Sequence, residues 1–182
     1  MTRVVKTLFT LALILTLAAC ESRTEKTDGG GVILSISDFN GYPLVVSVNG
    51  SNIIQMDNLT VTSIPKIPGG ATSPLMNVEF ESYEVTYTRA DAGTRVPVSY
   101  VRGWFGVVPI GGTAQLINAP IMGFDQFINP PLSDLLFQNG AVDRETGQPR
   151  ITLNFRLRFF GRTLSGDEVQ TQPALFTIEF IP

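Results

Sequence analysis

The sequence predicts an all-β domain of two packed antiparallel sheets, entered through a targeting segment and a polar linker. Three observations carry that prediction. Apolar and polar residues alternate with period two in several short runs, most clearly over residues 150–160. Glycine, proline and asparagine gather at the ends of these runs, where a chain must turn. Only one segment carries the three-and-four spacing of a helix. Hydrophobic residues make up 43% of the 182, so a packed core is within reach.

The first element is a signal. Arg3 and Lys6 form a positive head, Leu8 to Leu17 an uncharged apolar stretch, and Ala18 and Ala19 a small-residue approach to Cys20. The apolar stretch is short for a membrane-spanning helix, which needs roughly 20 apolar residues. Leu17-Ala18-Ala19-Cys20 closely resembles the lipobox of bacterial lipoproteins. That resemblance implies a diacylglyceryl group on the Cys20 thiol, cleavage before it, and acylation of the new amine. Two or three acyl chains anchor stably where one is marginal, at about 0.8 kcal/mol per buried CH₂. The plainer alternative is an ordinary secretory signal or a short uncleaved anchor, with Cys20 incidental.

Residues 1–19 are therefore expected to leave as a signal peptide, with its helix, and residues 20–31 to form a lipidated cysteine and flexible tether. The tether "ESRTEKTDGGG" is polar, mixed in charge and rich in glycine. A single domain follows over 32–182. Residues 32–37, 43–50 and 58–65 are short β-rich runs, the first two separated by the turn chemistry of "FNGYP". In residues 77–89, Val78 and Phe80 share one parity while Tyr83, Val85 and Tyr87 share the other. A bulge near Glu81-Ser82 reconciles them.

Residues 89–97 read as a polar loop, 104–108 as a strand ending at Pro109, and 111–122 as turn glycines followed by an apolar run. In "NPPLSDLLFQNG", residues 129–140, prolines precede Leu132, Leu135 and Leu136, which predicts one or two helical turns. The strand at 150–160 points Ile151, Leu153, Phe155, Leu157 and Phe159 inward and Arg150, Arg156 and Arg158 outward. Residues 173–182 repeat the alternation and pair with it antiparallel. About seven to nine strands with turns between them resemble an immunoglobulin-like β-sandwich in architecture, though the cysteine pair of antibody domains is missing. A small barrel is the alternative.

Composition narrows the function. With no histidine and one cysteine, the Ser-His-Asp and Cys-His nucleophile systems and the commonest zinc ligand are absent. No disulfide can close within the chain. The net charge of −3 and the lack of a basic stripe argue against nucleic acid as partner.

Several clusters remain to be weighed. Asp143-Arg144-Glu145-Thr146-Gly147 has oxygen ligands for calcium but lacks the Asp-x-Asp-x-Asp spacing. Glu79, Glu81, Glu84 and Asp91 contain the acids that glycoside hydrolysis requires, and equally the acids of a solvated strand. Arg156 and Arg158 are candidate ligand contacts for an anion or a partner's carboxylates. Tyr83, Tyr87, Tyr100, Trp104 and Phe105 are candidates for a sugar platform. Trp104, between two glycines, is a further candidate contact, with an inter-sheet core position as its alternative. Asn49-Gly50-Ser51 and Asn58-Leu59-Thr60 match a glycosylation pattern that a bacterial setting rarely uses.

The expectation is a lipid-anchored, non-catalytic binding or structural module of the cell envelope, without metal or cofactor. Its partners would be the membrane, through the lipid, and an envelope protein or glycan. Where two membranes exist, the outer one is favoured. The rivals are a carboxylate-dependent glycan hydrolase and a secreted carbohydrate-binding adhesin.

Overall fold

A computed structural model of the protein describes residues 29–182, and over these it is an all-β structure of two sheets. Strands β1 (Val32–Asn40), β3 (Ile54–Pro65) and β6 (Thr113–Met122) form the smaller sheet, in the order β1-β3-β6. The larger sheet has the order β2-β9-β7-β4-β5, built from β2 (Val45–Ser47), β4 (Val78–Arg89), β5 (Tyr100–Val108), β7 (Ile151–Thr163) and β9 (Ala174–Ile181). A short β8 (Glu168–Gln170) pairs with the far half of β7, where β9 no longer reaches. Pairing between these strands is antiparallel, except that β2 runs parallel to β9; an isolated parallel bridge also joins Leu34 to Thr171.

The bulge expected in β4 is present. Its register slips between Phe80 and Ser82 against both β5 and β7, so Val78 and Phe80 face inward before it and Tyr83, Val85 and Tyr87 face inward after it. Gly161 of β7 lies opposite this irregularity. A Cβ there would sit 2.3 Å from the Glu79 carbonyl oxygen, so only glycine lets the two backbones come this close.

The core fills the space between the sheets. Along β7, Ile151, Leu153, Phe155, Leu157 and Phe159 are all fully buried, as their alternation predicts. Tyr83 and Tyr87 bridge the layers, donating their hydroxyls to the carbonyls of Pro120 (2.7 Å) and Ile121 (2.9 Å) on β6. Burial pushes both phenols well above the ordinary tyrosine range.

The segment expected to be helical forms two 3₁₀ turns, Leu132–Leu135 and Phe137–Asn139, and buries Leu132 and Leu135. A five-residue helix α1 (Phe124–Ile128) precedes them and was not expected. Gln126 Oε1 accepts from the Gly123 N–H at 3.0 Å and closes its first turn. β5 starts at Tyr100, four residues before the expected strand, because Val101, Arg102 and Gly103 pair with β4 without an apolar alternation to announce them.

Cys20, the signal residues and residues 21–28 of the tether lie outside the described residues. Gly29–Gly31, assigned to the tether by composition, instead form a 3₁₀ turn that leads into β1. Gly30 has φ 61°, and a Cβ there would meet Thr163 Cγ2 at 2.5 Å. The Lys66 N–H donates to Gly31 O at 2.9 Å. Among the described residues, no helix is long and apolar enough to cross a membrane.

Candidate functional site

The outer face of the larger sheet carries a groove of about 410 Å³ across β5, β4, β7 and β8. Its position follows from register. Glu84 on β4 stands opposite Val101 on β5 and Arg158 on β7, and Ser82 stands opposite Gly103 and Phe160. Phe160 in turn faces Gln170 on β8. Outward-pointing residues of four strands thus meet in one depression, with Phe160 and Val101 as apolar lining.

The polar groups in the groove divide into satisfied and unsatisfied. At one end Arg162 is braced by Glu81 at 3.1 Å and Glu168 at 3.7 Å. Arg158 forms no ion pair among the described residues, although Glu84 is its direct cross-strand neighbour. Burial pulls its guanidinium below the ordinary arginine range, the adjacent Arg156 adds to this, and Glu84 opposes it. Gln170 is 2% exposed, and neither its Oε1 nor its Nε2 has a hydrogen-bond partner among the described residues. Buried amide atoms are nearly always paired, so a wholly unpaired side-chain amide sets Gln170 apart from the other polar groups of the groove.

A second charged cluster lies among the loops at one end of the larger sheet, and every acid in it is engaged. Arg89 donates to Asp91 (2.6 Å) and Asp143 (2.7 Å), and Arg95 to Asp134 (2.6 Å) and Asp143 (3.3 Å). Asp143 also accepts from the Thr146 hydroxyl and the Glu145 N–H. Burial works against its charge, but the hydrogen bonds from Arg89 and Thr146 prevail and hold its carboxyl at about 2. Hydrogen bonds from the Arg95 N–H and the Thr94 hydroxyl hold Glu145 below the usual carboxylate range too. These acids bind arginines and loop backbone, and the arrangement locks three loops together.

The residues singled out in the sequence separate accordingly. Arg158 lines the groove, whereas Arg156, two positions earlier on the same face, is exposed. Arg150 reaches only as far as Glu179, at 4.0 Å. The Trp104 ring is half-buried, stacked on Phe80 at 5.0 Å and edge-on to Phe159 at 5.2 Å, a core position on the inner face of β5. Its neighbour Phe105 points outward, 82% exposed. Of the five aromatics considered for a platform, Phe105 has the open ring. Asn49 is held by Leu135 O and the Phe137 N–H, fastening the loop after β2 to the 3₁₀ turns. Gln170 carries no signal in the sequence, because its burial depends on β8 folding back along β7.

No known family model matches the chain, and no curated protein matches it. Two solved structures are similar in outline. One is a Northeast Structural Genomics Consortium target, 10% identical, with a TM-score of 0.40 over 82% of this chain and 86% of that one. The other is a protein from Archaeoglobus fulgidus, 10% identical, with a TM-score of 0.41 over 85% of this chain and 97% of that one.

Proposed function

We propose that this chain is a bacterial envelope lipoprotein: cut before Cys20, acylated there, and carrying one non-catalytic binding domain. Leu17-Ala18-Ala19-Cys20, behind a positive head and an apolar stretch, supports the anchor. The observation that carries the binding role is the unpaired Arg158 and Gln170 in the groove of a fold whose other charged cluster is fully engaged. A two-carboxylate hydrolysis needs two uncommitted acids. Of those lining the groove, Glu81 and Glu168 both hold Arg162, which leaves Glu84.

Strand order supports an immunoglobulin-like reading of the sandwich. With β3 and β6 taken as strands B and E, and β4, β7 and β9 as C, F and G, β1 falls as A and β5 as C′. Strand D has no counterpart among the described residues. In an organism with two membranes, the outer membrane is the proposed site.

The anchor is tested with Cys20→Ala. Wild type should incorporate radiolabelled palmitate and fractionate with membranes, and the variant should accumulate unprocessed and unlabelled. A variant that still matures and stays with membranes, beside a wild type without label, overturns the lipoprotein reading.

A further inference from the structure

The chemistry of the groove narrows what it binds. An ionised carboxylate only accepts hydrogen bonds, a guanidinium only donates, and a primary amide does both. Glu84, Arg158 and Gln170 set these three kinds of group around one depression, with the Ser82 hydroxyl beside them. Their common complement is a set of neighbouring hydroxyls, each able to donate to one group and accept from another.

Net charge points the same way. Glu81, Glu84 and Glu168 stand against Arg158 and Arg162, so the lining offers no excess positive charge to a free anion. The apolar part of the lining is one aromatic ring, Phe160, with Val101 and Val169. Phe160 lines the groove, and the edge of the exposed Phe105 ring lies 3.8 Å from where a Cβ on Gly103 would be. Gly103 faces Ser82 in the register, so the Phe105 ring stands on the same outer face of the sheet as the groove, beyond the residues that line it. A volume of about 410 Å³ accepts a ligand of one or two rings.

We propose, on the strength of the groove as the binding surface, that it holds an uncharged sugar residue of a glycan. Its hydroxyls pair with Glu84, Arg158 and Gln170, and its apolar ring face rests on Phe160 and Phe105.

The full chain, ¹⁵N-labelled and held in detergent, tests this by titration with maltotriose, cellotriose, chitotriose, trigalacturonate and trialanine. Saturable shifts of the Gln170 side-chain amide and the Arg158 Nε–H are expected with at least one neutral trisaccharide. Arg158→Ala and Gln170→Ala should each weaken that binding about tenfold, as loss of one buried hydrogen-bonding group does, with the thermal midpoint held. Phe105→Ala should weaken it a few-fold. Shifts of these two groups with trigalacturonate or trialanine alone keep the groove and overturn the sugar. No shift of either group with any of the five overturns the groove as a binding surface, and the sugar with it. A neutral sugar that moves only other resonances also overturns the proposal.

Discussion

Two arginine-bearing regions of this domain differ in one respect that separates structure from function. At the loop end, the Arg89 side chain is 2% exposed and its donors are taken up by Asp91 and Asp143. On the sheet face, Arg158 sits in a groove with no carboxylate in ion-pair range among the described residues, beside a buried amide with no partner among them. Charge withdrawn from water is tolerated when paired and costly when not. The first region is therefore built to hold the molecule together. The second keeps hydrogen-bonding capacity unfilled, which on the proposed reading serves a ligand.

The largest test of that contrast is Arg89→Ala. It leaves Asp143 buried without its main partner, and a loss of about 3–5 kcal/mol is expected in urea unfolding. A loss under 1 kcal/mol would mean that the cluster does not lock the loops.

Acid gives the next effect. The native Asp143 carboxyl, at about 2, lies below its ordinary value near 3.9, so its contribution is whole above about pH 4. It is lost as the pH falls through about 2, and Asp91 and Glu145, also lowered, act in the same direction. Asp143 alone should account for roughly 2 kcal/mol of stability lost over that window. Asp143→Asn, though less stable at neutral pH, should show a flatter dependence. An unchanged slope in the variant would place the acid sensitivity elsewhere.

The smallest effect has the opposite sign. Gln170→Leu removes an amide that has no partner, so the domain should be unchanged or up to about 1 kcal/mol more stable, while ligand binding falls. Clear destabilisation would show that the amide serves the fold.

Much of the sandwich was legible in the sequence, and the groove was not. The alternation from Ile151 to Phe159 reports its own burial, because one face of β7 meets the core and the other meets water. The parity break at Glu81-Ser82 is equally local, since a bulge reverses side-chain direction within two residues. Trp104 and Phe105 were ambiguous because adjacent strand residues face opposite ways and both are aromatic; only the pairing with β4 says which is inside. The alternation puts Arg156 and Arg158 together on the wet face and does not tell them apart. What distinguishes them is the approach of β8 beside Phe160, a contact between chain segments that no local pattern encodes.

The parallel pairing of β2 with β9 carries a consequence for the order in which the molecule can be made. β2 has one neighbour in its sheet, and the Ser47 hydroxyl donates to the Pro182 carbonyl across 135 residues of chain, at 2.9 Å. β4 likewise waits for β7. Contacts so distant in sequence form late and slowly. A chain emerging from its amino end would present β1 and β3 as a pair well before the larger sheet could close. Until β9 arrives, β2 has nothing to lie against, and the apolar faces of β4 and β7 stay partly open. That interval, more than the finished fold, is when the domain is exposed to aggregation and proteolysis.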